Sequence, residues 1–171
     1  QTTSVYGDPF INEMSVAKDG AIWIASDNGL LRFDGNAWTQ FTKADGLPDN
    51  IIYTVALASN GDVWVGTKYG AARFDGSSWR VYRTSEGLFT DEVKKIVVDA
   101  NNVVWFSSSV QYTSTSAAVT RFDGDTWRHY TSSDGIPFYK YNIFMYISDI
   151  FIDKNNGIWV VLINFYNVEG T

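Results

Sequence analysis

The sequence predicts an all-β fold in which small four-stranded antiparallel sheets recur about every 41 residues, and three observations predict it. Arg-Phe-Asp-Gly occurs at positions 32–35, 73–76 and 121–124, each copy followed by a tryptophan: Trp38, Trp79 and Trp127. A second series, Trp23, Trp64, Trp105 and Trp159, interleaves with the first, with 41 residues from Trp23 to Trp64 and 41 more to Trp105. Asn-Gly and Asp-Gly turns punctuate short apolar stretches, which is the pattern of a meander of hairpins. A period of this size in a strand-rich chain marks a repeat architecture.

Each repeat divides into four strands. In the second, 51–58 is an apolar run closed by Ser59-Asn60-Gly61, and 62–67 (Asp-Val-Trp-Val-Gly-Thr) ends at Lys68-Tyr69-Gly70. The third strand, 71–75, ends in Asp75-Gly76, and the fourth, 79–83, precedes Ser85-Glu86-Gly87-Leu88. No stretch shows a helical apolar period.

The fourth strands carry aromatic pairs three apart: Trp38 with Phe41, Trp79 with Tyr82, Trp127 with Tyr130. Side chains alternate along a strand, so this spacing sends the two rings to opposite faces. Large rings on both faces imply a sheet covered on both sides by copies of itself, which a β-propeller provides and a one-sided meander does not.

The full pattern joins Asp-Gly-x-apolar-Trp to Gly-apolar-x-Arg-Phe-Asp-Gly-x-x-Trp-x-x-Tyr and then Asp-Gly-apolar-Pro. It is met by 61–64 with 70–79, by 20–23 with 29–38, and by Asp45-Gly46-Leu47-Pro48. It resembles the two-component regulator propeller repeat over nearly the whole chain. The resemblance implies a β-propeller of four-stranded antiparallel blades. It further implies an extracytoplasmic location, periplasmic or secreted, as in the sensor propellers of bacterial hybrid histidine kinases and other exported proteins. Function follows only weakly, because propellers host unrelated activities.

About four blades' worth of chain is present in a single domain or segment, 1–171, with blades near 13–42, 51–83, 92–131 and 147–171. Three are complete and the last is split or truncated. Residues 1–7 offer a strand that would complete it and close a four-bladed ring; alternatively the chain is a segment of a larger ring, seven blades being typical of the family. The opening Gln1-Thr2-Thr3-Ser4 suits either a mature N-terminus after signal cleavage or an arbitrary boundary.

Two insertions break the period. Between Trp105 and Arg121 there are 16 positions where earlier repeats have 9, and between Arg121 and Trp159 there are 38 where they have 32. The first, around 107–118, is polar and lies between the second and third strands of blade 3. The second, around 137–146, is densely aromatic and links blade 3 to blade 4. In a four-stranded meander these two connections emerge at the same end of the sheet. Tyr and Phe bring contact area at little rotamer cost, so Tyr112, Phe138, Tyr139, Lys140, Tyr141, Phe144 and Tyr146 are the candidate contacts for a carbohydrate or protein partner. The competing reading is a lid that buries its own rings.

Composition excludes other classes. There is no cysteine, one histidine (His129), a net charge of −6 and no basic cluster, so thiolate chemistry and nucleic-acid binding are not expected. No apolar run is long enough to span a membrane as a helix. The acidic turns lack the spacing of a calcium loop, and no Gly-x-Ser-x-Gly or phosphate-binding glycine loop occurs. No catalytic residue, metal site or cofactor is expected. The reading is a non-catalytic extracytoplasmic binding or sensing propeller. The alternative is a structural protein whose unpaired blade edges join copies into oligomers or fibres.

Overall fold

The computed structural model describes residues 10–109, 117–136 and 144–165. It is all-β, with three four-stranded antiparallel sheets and one two-stranded sheet, each in simple meander order. Blade 1 holds β1 (Ile11–Val16), β2 (Ile22–Ser26), β3 (Gly29–Phe33) and β4 (Trp38–Phe41). Blade 2 holds β5 (Ile52–Leu57), β6 (Val63–Thr67), β7 (Gly70–Phe74) and β8 (Trp79–Tyr82). Blade 3 holds β9 (Val93–Val98), β10 (Val104–Ser109), β11 (Ala117–Phe122) and β12 (Trp127–Tyr130). Blade 4 shows β13 (Phe144–Ile152) paired with β14 (Ile158–Phe165).

The first strands stand side by side, β1 against β5, β5 against β9 and β9 against β13, so they are the inner strands and the sheets fan outward from them. The core lies between blades. The second-strand tryptophan and fourth-strand aromatic of one blade receive the Phe–Trp pair of the next. Trp23 and Phe41 meet Phe74 at 6.4 and 5.6 Å, and Phe41 meets Trp79 edge-on at 5.7 Å. Trp64 and Tyr82 likewise meet Phe122 at 6.2 and 5.6 Å, with Trp127 5.8 Å from Tyr82. The two rings of each fourth strand therefore serve opposite faces, as their spacing predicts.

The Arg-Phe-Asp-Gly unit owes its recurrence to this packing and to its turn. Its Asp closes the hairpin: Asp75 Oδ1 accepts from the N–H groups of Ser77 and Ser78, and Asp34 and Asp123 do the same in their blades. These hydrogen bonds hold all three carboxyls below the usual carboxylate range. Between blades the chain makes single 3-10 turns, Lys43–Asp45, Thr84–Glu86 and Ser132–Asp134, which the apolar period does not announce. Each ends in a left-turning glycine, Gly46, Gly87 and Gly135. Leu47 and Leu88, next in the chain after the first two, are buried as plugs between sheets.

Two placements differ from the sequence reading. Ser107–Ser109 and Ala117–Ala118 belong to the β10–β11 ladder, so the polar insertion narrows to 110–116. Phe144 and Tyr146 belong to strand β13, opposite Phe165 and Ile163, and not to a loop. Backbone pairing with β14 extends the strand three residues before 147, because consecutive β-formers on both sides continue the ladder. Residues 1–7, the proposed completing strand, lie outside the described residues.

Candidate functional site

The period of 41 marks one further position that the tryptophans obscure. Each inner strand carries a bulge against its neighbour, at Asn12, Tyr53, Lys94 and Ser148. A bulge re-aims the side chains that follow it. The residues immediately after the four bulges are Glu13, Thr54, Lys95 and Asp149, one per blade, and they converge on the inner edges of the sheets.

There they form a connected polar network. Glu13 Oε1 accepts from Lys95 Nζ at 2.5 Å, and Glu13 Oε2 accepts from Thr54 Oγ1 at 2.5 Å and from the Val55 N–H at 3.1 Å. Thr54 Oγ1 in turn accepts from the Ile96 N–H at 3.2 Å. Lys95 Nζ stands 3.5 Å from Asp149 Oδ1. Burial alone would lower the Lys95 pKa, but the hydrogen bond and charge of Glu13, with Asp149 behind it, outweigh burial and raise it. The network lines a groove of about 360 Å³ together with Ser15 and the apolar residues of β5, β9 and β13.

Its chemistry is that of a clamp. Both Glu13 oxygens are engaged, and the Asp149 side chain is 49% exposed. The Glu13–Lys95 pair is partly buried, 22% and 24% of the two side chains being exposed, and it joins β1 to β9. His129, the one histidine, lies on β12 with Nδ1 3.1 Å from Thr120 Oγ1 and its ring 5.5 Å from Phe89; burial lowers its pKa. It is remote in sequence and strand order from the inner network. Among the described residues no group of three or more His, Cys, Asp or Glu could hold a metal ion.

The seven contacts expected from sequence divide simply. Tyr112, Phe138, Tyr139, Lys140 and Tyr141 lie outside the described residues, and Phe144 and Tyr146 start β13. The end of the sheets from which both insertions spring is well defined in the blades without them. The Gly29 N–H of the β2–β3 turn donates to the Asn50 carbonyl of the blade 1–2 linker at 2.6 Å, and Arg83 Nε donates to the Tyr69 carbonyl at 3.2 Å. Second-to-third turns and inter-blade linkers thus share one end. Blade 3 also departs at Ser108. In the earlier blades Ser26 and Thr67 donate to the carbonyls of Gly29 and Gly70 across a tight turn. The Ser107 and Ser108 hydroxyls are buried without a hydrogen-bond partner among the described residues.

Residues 46–69 match the family described as two component regulator propeller. No curated protein matches the chain. Among solved structures, the extracellular domain assigned to the hybrid two component system BT3049 of B. thetaiotaomicron superposes with a TM-score of 0.69 at 19% identity, over 89% of this chain and 20% of that one. The corresponding domain of BT4673 from the same organism gives 0.52 at 16%, over 98% and 28%. Virginiamycin B lyase from Staphylococcus aureus gives 0.64 at 17%, over 94% and 50%. The likeness to these structures is one of fold, and the chain spans from a fifth to a half of their lengths. Residues 46–69 are thus similar to the two component regulator propeller repeat, in a chain folded as blades of a β-propeller.

Proposed function

We propose that the chain is a non-catalytic, extracytoplasmic binding or sensing propeller whose partner, a carbohydrate or an envelope protein, meets the end of the sheets that bears the insertions. The observation that carries this reading is the concentration of departures from an otherwise regular repeat at one end of blade 3, where partners of repeat folds are met. The repeat match and the fold shared with extracellular domains of two component systems support the location and the sensing role. A lyase shares the fold as well. The test is binding of envelope oligosaccharides to the chain and to a Tyr139→Ser, Tyr141→Ser variant. Loss of binding with unchanged thermal stability supports the reading; a large stability loss favours the lid.

A second reading is assembly through blade faces. On blade 4, Trp159 is 55% exposed where Trp23 and Trp64 are buried. Sedimentation over a range of concentration tests it, and a concentration-independent monomer overturns it.

A further inference from the structure

A cleft of about 930 Å³ opens between blades 1 and 2 at the end of the sheets opposite the insertions. That volume is within the roughly 300–1,000 Å³ of small-molecule sites, which combine apolar walls with a few convergent polar groups. Trp23, Phe41 and Phe74 supply the aromatic wall, and Lys18, Asp19 and Arg32 the charged groups.

Arg32 is the feature that the repeat singles out. In blade 2 the equivalent Arg73 has an ion pair at 2.8 Å with Asp62, a carboxylate whose side chain is 11% exposed. Asp62 follows Gly61; the residue that follows Gly20 in blade 1 is Ala21. Arg32 therefore lacks that partner, as does Arg121 of blade 3, where Val103 stands at the place of Asp62. Arg121 Nη1, however, donates to Asp123 Oδ2 at 2.8 Å, a direct bond that Arg32 does not make. The Arg32 guanidinium lies over the Trp23 ring at 5.7 Å, and the carboxylates of Asp34 and Asp19 stand 3.7 and 4.0 Å away, beyond hydrogen-bond reach. Asp19 is largely in solvent, with 66% of its side chain exposed. The other carboxylate lining the cleft, Asp99, is buried and accepts from the N–H groups of Asn101 and Val103 and from the Asn156 amide. Lys18 adds a second cation, its Nζ 3.5 Å from the Ser59 carbonyl.

A guanidinium matches a carboxylate through two parallel hydrogen bonds, and a cleft walled by rings suits a flat or ring-shaped body. We infer that the cleft between blades 1 and 2 binds a carboxylate carried on a ring, an aromatic acid or a sugar acid, with Arg32 receiving the carboxylate and the half-buried Phe41 and Phe74 the ring. The contact that Asp62 makes from within the chain in blade 2 is left, in blade 1, to a carboxylate from outside. The inference rests on the reading of the chain as a binding propeller and places a second site away from the insertion-bearing end.

The test uses four probes, benzoate, glucuronate, benzamide and glucose, titrated into the isotope-labelled chain and followed by NMR at the Trp23 indole N–H and the Arg32 Nε–H. At least one acid saturates these signals, and its neutral counterpart binds about tenfold or more weakly, as expected for loss of a charge-assisted hydrogen bond. Benzoate against glucuronate separates the two sources of the ring. Arg32→Gln weakens the acid about tenfold or more. Ala21→Asp, which installs the blade 2 partner, does the same, with spectral dispersion reporting that each variant is folded. The inference is overturned if neither acid moves these signals at high millimolar concentration, or if an acid binds Arg32→Gln as well as the parent. The Tyr139→Ser, Tyr141→Ser variant keeps acid binding here, so failure at this cleft and failure at the insertion-bearing end are read separately.

Discussion

Lys95 forms an ion pair with Glu13 from 82 positions away, two full repeats, reaching across the inner edge of blade 2. Between them Thr54 joins the same carboxylate, so blades 1, 2 and 3 are tied at one point on their inner strands. The three residues occupy the same place in successive repeats. The fold thus places a carboxylate, a hydroxyl and an ammonium together by repeating one bulge.

The coupling should be measurable. Glu13 and Lys95 are each more than three-quarters shielded, so Glu13→Gln or Lys95→Met alone should cost about 1–3 kcal/mol by stranding the partner. The double variant should cost less than the sum, in a urea-unfolding cycle. Lys95 is raised above its ordinary value, so its contribution is complete below that value and fades as pH rises through the folded pKa.

Asn102 replaces the turn glycine found at Gly20 and Gly61, and keeps its left-handed backbone at φ 61°. Its Oδ1 accepts from the Ser59 N–H and hydroxyl of blade 2 at 2.8 and 2.7 Å. Asn102→Gly should keep the turn and lose the bond, costing about 1 kcal/mol. Asn102→Ala should lose both and add about 1 kcal/mol of backbone strain. Thermal unfolding should rank the parent first, then the glycine variant, then the alanine variant.

Acid should act through the repeated hairpin turns. Asp34, Asp75 and Asp123 have folded pKa values depressed by turn N–H groups. Their contribution is present above the unfolded carboxylate value and lost as pH falls below it, so stability should hold to about pH 5 and decline below about pH 4. Asp75→Asn and Asp123→Asn together should flatten that decline in a pH series of melting temperatures.

Gly66 is a close-approach glycine. A Cβ there would come within 2.7 Å of both Thr54 Cγ2 and the Val93 carbonyl oxygen. Gly66→Ala should destabilise by about 1–3 kcal/mol through overpacking, although Ala25 and Ser107 fill the same place in blades 1 and 3. Denaturant midpoints of the variant and parent decide it.

Strand positions, blade faces and turn types were legible because large rings and Asp-Gly pairs recur with the packing they serve. The inner network was not. Glu13, Thr54 and Lys95 differ in chemistry and Asp149 falls off the 41-residue period, so a search for repeated letters passes over them, although the 41-residue ruler lands on the first three. The loose partnership of Arg32 was likewise hidden, because the signal is the substitution of Ala21 for an Asp rather than any motif. The start of β13 was misplaced because aromatic residues that read as a contact loop also make good strand.

Native mass spectrometry of the chain with an oligosaccharide and ring-acid panel tests the central claim most directly, because it reads the bound mass and its chemical integrity together. A binding propeller gives a complex whose ligand is released with unchanged mass. A ligand released with altered mass, or no complex with any member of the panel, contradicts the account.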